Sequence, residues 1–186
     1  MVGRFGFSSA IAFDAQHLQP LATWAFLATL TEAVFIEGHR ADDAIPHALG
    51  HSNRLGPHSG VYLITLSPTT SETQKIVNVT KYIWSHRDYR PWGTTLPVQC
   101  RECGTPQQWA GMKCSDNYTF ECRYEFCGWD PVCQEFVKPR GTYVVEKPEG
   151  MQVIPNGKLP SSSWLRFCLP AKVIEADSED LAMELD

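Results

Sequence analysis

The chain has 186 residues, enough for one ordinary domain or for a small domain with an attached metal module. Its formal net charge of -5 comes from an acidic C-terminus: residues 175–186 hold six acids and no Lys or Arg, and the rest of the chain has 16 basic residues against 15 acidic ones. A nearly neutral body argues against a protein that binds polyanions through bulk charge. The most apolar run, residues 21–36, is slightly short for a membrane span and is interrupted by Thr23, Thr29, Thr31 and Glu32.

In chain order, residues 1–13 are short, apolar and glycine-containing, which suits a loop or an edge strand. There is no sustained apolar run followed by a small-residue cleavage site, so an intracellular, cytoplasmic or nuclear chain is expected. Asp14 is positioned to cap a helix that carries Leu18, Leu21, Ala22, Ala25, Leu30, Ala33 and Val34 at helical spacing, has Pro20 in its first turn and ends at Gly38. Trp24, Phe26, Leu27 and Phe35 fill much of the remaining circumference, which predicts burial on more than one side. A shorter helix is expected over residues 42–49, closed by Gly50. Residues 61–66 (VYLITL) and 76–84 (IVNVTKYIW) are rich in β-branched and aromatic residues and read as two antiparallel strands.

A linker with Pro91 and Gly93 leads into residues 96–133, which hold six of the seven cysteines. Four of these are spaced as a metal site: Cys100-x2-Cys103, eighteen intervening residues, then Cys122-x4-Cys127. Two short cysteine loops separated by a hairpin can present four sulfurs tetrahedrally, which is the requirement of structural Zn2+. Gly104 and Gly128 each follow the second cysteine of a loop, where glycine lets the backbone turn tightly beneath the metal. An odd cysteine count and the absence of a secretion signal favour reduced, metal-holding thiols over disulfides. Residues 108–112 and 118–121 are the expected hairpin strands between the loops.

With CRECG as one knuckle, FECRYEFCGW as the other and an aromatic hairpin between them, the stretch resembles the zinc-ribbon family. The resemblance implies a small β-rich module with Cys100, Cys103, Cys122 and Cys127 as ligands. It departs from the usual pattern in having four residues, not two, inside the second knuckle, which leaves Cys133 or Cys114 as alternates in that half. The run from SHRDYRPWG through the cysteines also resembles the C-terminal part of large proteins of mushroom-forming fungi. That implies an accessory region retained in a shorter chain, and it supplies no activity.

No His or Glu adjoins the cysteines to leave an open coordination position, so a closed structural site is expected rather than a catalytic one. Residues 95–141 carry five basic and six acidic side chains, which points the module toward a protein partner. The alternative is nucleic-acid binding through residues 81–92, where Lys81, Arg87 and Arg90 are interleaved with Trp84, Trp92 and two tyrosines. These aromatics are equally ordinary as strand and packing residues. A second alternative is a truncated hydrolase. Its nucleophile would be Cys168, which sits in an apolar context that suits a buried inert thiol, and its histidines His39, His47 or His58. His47 and His51, four apart, could share a helix face, but the protease zinc motif is absent.

The expected architecture is therefore α+β. N-terminal helices pack on a small antiparallel sheet over residues 1–92, and a β-rich zinc ribbon follows over residues 93–140. Short strands over residues 141–174 pack on the ribbon or on the N-terminal region, and residues 175–186 form a disordered acidic tail. The expected function is that of a zinc-binding, non-enzymatic interaction module without a membrane segment.

Overall fold

The computed structural model describes residues 7–68, 74–106, 109–114, 116–156, 159 and 161–175. The acidic residues 176–186 lie outside them. The fold is α+β, with helices at the N-terminal end and antiparallel sheets. The chain divides into two compact units. One comprises residues 1–84, 150–160 and 164–186, and the other comprises residues 85–149 and 161–163.

In the first unit a five-stranded sheet has the order β1 (Ser9–Phe13), β2 (Val61–Pro68), β3 (Gln74–His86), β10 (Ser162–Glu175) and β9 (Gln152–Pro155). β1 and β3 each run antiparallel to β2, with Phe13 opposite Val61 and Val61 opposite Tyr82. The β-branched runs thus form the predicted pair of strands, and β1 is an edge strand of the sheet, as β9 is at the other side.

Helix α1 (Pro20–Thr31) starts with Pro20 in its first turn and continues into a π-helical turn, Glu32–Ile36. Asp14 does not cap it. Its carboxylate instead accepts the Gly60 N–H at 2.7 Å, because the turn before β2 offers a closer donor than the helix start. The predicted burial of α1 on more than one side is also corrected. Ala22, Thr23, Phe26 and Leu30 are buried, whereas Trp24 is 64% exposed and Phe35 82%. Apolar composition does not force burial, since one side of the helix suffices to pack on the core.

Helix α2 (Ala41–Gly50) buries Ala44, Ile45, Ala48 and Leu49 and carries Pro46 in its interior. A short helix that the sequence did not suggest, α3 (Leu55–His58), follows it and buries Leu55. These helices and strands share one core of Phe26, Ile45, Leu49, Leu55, Val61, Tyr82 and Trp164. The Trp164 indole N–H is satisfied by the Leu49 carbonyl at 3.2 Å.

In the second unit β4 (Trp109–Cys114), β5 (Asn117–Cys122) and β8 (Thr142–Val145) form an antiparallel sheet in that order. β6 (Trp129–Asp130) and β7 (Glu135–Phe136) form a separate two-stranded hairpin. The hairpin between the cysteine loops is thus as predicted, with its first strand ending two residues later and its second one residue longer at each end; residue 108 lies outside the described residues. Trp92 is buried beside it in a left-handed backbone conformation (φ 49°). Its Nε1 donates to the Asp116 carbonyl at 2.8 Å, and its ring meets Tyr118 edge-on at 5.3 Å.

Trp164→Ala should cost about 3–5 kcal/mol, because it leaves a large cavity and removes the donor from the Leu49 carbonyl. Chemical denaturation followed by circular dichroism measures this, and an unchanged midpoint would contradict the core assignment.

Candidate metal centre

The first cysteine loop is a tight hairpin. The Cys100 N–H donates to Thr105 O at 3.0 Å, and the Gly104 N–H returns to Cys100 O at 2.9 Å. Gly104 takes the left-handed conformation (φ +73°) that this turn requires. The second loop solves a harder problem, because Cys122 ends β5 while Cys127 lies five residues on. The extra length is absorbed by a turn in which the Cys127 N–H donates to Tyr124 O at 3.1 Å. Gly128 then reverses the chain at φ +86°, and the Val137 N–H donates to its carbonyl at 3.0 Å. A Cβ on Gly128 would run into the Lys138 carbonyl oxygen, so glycine is needed there for space as well as for φ.

These turns bring the four sulfurs of Cys100, Cys103, Cys122 and Cys127 within 4.8 Å of one another. Cys100 and Cys127 are 3.8 Å apart, and Cys103 and Cys122 are 3.7 Å apart. A tetrahedron with metal–sulfur bonds of about 2.3 Å has edges of about 3.8 Å. All four are free thiols at separations far beyond the roughly 2.0 Å of a disulfide. Cys100, Cys122 and Cys127 are buried, and Trp109 packs against the cluster. The donor set is therefore compatible with a metal ion, and tetrahedral S4 sets hold zinc or iron.

The surroundings orient the sulfurs. The Gly141 N–H donates to Cys127 Sγ at 3.3 Å, and backbone N–H groups of Thr105 and Tyr124 serve Cys103 and Cys122. A Cβ at Gly141 would meet Cys100 Sγ, so this position admits no side chain while the sulfurs stay together. Such N–H···S bonds favour the thiolate and fix its direction. Burial pushes the Cys122 thiol up to about 12 and raises Cys127 as well. Burial works in the same sense on Cys103, but the Thr105 hydroxyl and N–H outweigh it and bring that thiol down to about 7.

Of the alternates, Cys133 is exposed on the turn between β6 and β7 and is not a member of the group. Cys114 ends β4, and its side chain lies outside the described residues.

The stretch over residues 81–92 is differently placed. The indoles of Trp84 and Trp92 are both buried, so neither face is open to a base. Lys81 lies over the Tyr62 ring at 5.2 Å, Arg87 pairs with Asp88 at 3.1 Å, and Arg90 donates to Gly93 O at 3.0 Å.

The thiol of Cys168 is exposed, not buried as its apolar neighbours suggest, because residues 168–173 of β10 all lie in solvent beyond the buried Trp164 and Leu165. None of His39, His47 or His58 hydrogen-bonds to it: His39 faces Glu37 at 3.3 Å, His58 accepts the Gln19 N–H at 3.1 Å, and His47 stacks edge-on against His51 at 4.7 Å. One Ser–His contact was not foreseen, Ser161 Oγ to His86 Nε2 at 3.0 Å. His86 Nδ1 accepts the Asp88 N–H at 3.1 Å, which leaves the ring proton on Nε2. The histidine thus donates to the serine and cannot take its proton.

No protein-family model, no curated protein and no solved structure matches the chain. Neither the likeness to zinc ribbons nor that to the fungal proteins gains support from these comparisons; what the structure shows is a cysteine group compatible with a metal ion.

Two outcomes follow. Gly128→Ala should destabilise the protein by at least about 1 kcal/mol more than Gly104→Ala, since both introduce a left-handed alanine but only the first also meets backbone. Equal losses in denaturant titrations would contradict the packing. Because Cys122 and Cys127 hold their protons at neutral pH in the metal-free chain, metal uptake must expel them, and affinity must fall as pH falls. Calorimetric titrations in buffers of different ionisation heat measure the release. An affinity that stays constant between about pH 6 and pH 8 would contradict thiolate ligation.

Proposed function

We propose that the chain is a zinc-binding, non-enzymatic interaction module. Its four cysteines hold one structural zinc, and its exposed aromatic surface contacts a protein partner. The observation that carries this reading is the approach of the four sulfurs to tetrahedral separations. Four thiolates fill every position of a tetrahedral ion, and no site is left for water or substrate. Zinc bound there would offset half of the thiolates' charge and cross-link the two loops, supplying stability that a unit of this size lacks on its own. Gly141, Thr105 and Tyr124 would direct the sulfurs through their N–H groups.

The partner surface is the knuckle beyond Cys122. There Tyr124, Phe126, Trp129 and Phe136 stand edge-on to one another at 5.0–6.3 Å, with Phe136 59% and Val132 89% exposed. Exposed aromatics of this kind are typical of protein contacts.

Purified protein is expected to contain one zinc per chain by elemental analysis. Cys100→Ser/Cys103→Ser should lose it and melt at a lower temperature, whereas Cys133→Ser should keep both metal and melting temperature. Protein purified under metal-sparing conditions that carries no zinc and binds none on titration would overturn the reading.

A further inference from the structure

Beside the cysteine group the second unit has a half-open cavity of about 340 Å³, within the range of small-ligand sites. Its lining is more basic than the nearly neutral body of the chain. Arg101, Lys138 and Arg140 border it against a single acid, Glu102. None of the three cations forms an ion pair with a carboxylate among the described residues. Two rings complete the lining, Trp109 and Tyr143, with centroids 6.4 Å apart. The Trp109 indole is fixed by its Nε1–H, which donates to the Pro97 carbonyl at 2.8 Å, so its ring is a preset surface. The basic run is held close by the backbone, since Gly141 packs on Cys100 Sγ and donates to Cys127 Sγ.

Unpaired cations beside aromatic rings select an anion that carries a flat ring. Arginine forks match phosphate oxygens, and an aromatic ring offers a face on which a base can stack. We propose that this cavity binds a nucleoside phosphate unit, with its phosphate on Arg101, Lys138 and Arg140 and its base on the Trp109 and Tyr143 rings. The unit is supplied either by a free nucleotide or by a single-stranded nucleic acid. The site is separate from the stretch over residues 81–92, and it does not depend on the zinc reading.

The test uses the full chain with its metal content measured in the same sample. Adenosine diphosphate, adenosine, inorganic phosphate and a short oligodeoxyadenylate are titrated by calorimetry. Adenosine diphosphate should bind at least about tenfold more tightly than either adenosine or phosphate, about 1.4 kcal/mol or more. Lys138→Gln/Arg140→Gln should lower its affinity at least about tenfold with melting temperature and metal content unchanged. If that pair perturbs folding, Arg101→Gln, on the first cysteine loop, gives the same readout. Tyr143→Leu should weaken adenosine diphosphate but not phosphate. Equal affinity for adenosine diphosphate and the oligonucleotide identifies the free nucleotide as the source, and a much tighter oligonucleotide identifies the strand. The proposal is overturned if no nucleotide binds at millimolar concentration, if phosphate alone binds as tightly as adenosine diphosphate, or if the charge variants bind like the parent chain. Any of these results leaves the zinc content, and hence the metal reading, untouched.

Discussion

Sulfurs from residues as far apart as Cys100 and Cys127 come within 3.8 Å of one another, and the second unit is arranged around that approach. Bringing four thiols together is unfavourable by itself, because burial raises thiol pKa values and thiolates repel one another. The chain meets this cost locally. Each loop turns through a left-handed glycine, Gly104 or Gly128, and N–H groups of Thr105, Tyr124 and Gly141 point at the sulfurs. β5 and β8 then hold the loops in register, since the Cys122 N–H bonds to the Gly141 carbonyl at 2.9 Å where the two strands meet.

The same constraint shapes what lies around the cluster. With Gly141 pressed against Cys100, the side chains on either side of it, Arg140 and Thr142, are turned to the cavity along with Lys138 and Tyr143. The cluster and the basic cavity thus share one stretch of backbone. The rigidity that fixes ligand direction thus also fixes the backbone that carries the charged residues.

The first unit is held in a different way, by large side chains from separate elements that meet in one core. Phe26, Ile45, Leu49, Tyr82 and Trp164 fill it; the Trp164 indole N–H is satisfied by the Leu49 carbonyl, whereas the Tyr82 hydroxyl is buried without a hydrogen-bond partner among the described residues. Helix α1 contributes one side only and leaves Trp24 and Phe35 in solvent. Apolar residues lie all round it, so the pattern does not mark which side is inner.

Much of the site was legible in the chain, because metal-ligand spacing is a local property: two cysteines separated by two residues and followed by glycine specify a knuckle wherever they occur. The β-branched runs of β2 and β3 and the hairpin of β4 and β5 were legible for a similar reason, since strand propensity and alternation are written in neighbouring residues. The helix cap at Asp14, the burial of α1, the exposure of Cys168 and the gathering of Arg101, Lys138 and Arg140 with Trp109 and Tyr143 were not. Each depends on which distant surface arrives opposite a residue, as Gly60 does for Asp14. The sequence by itself determined the donor atoms and the turns that carry them, through spacing and glycine stereochemistry. Only the tertiary structure decided that Cys127 completes the group while Cys133 stays outside, because that choice rests on how the turn at Tyr124 and the reversal at Gly128 fold the second loop back on the first.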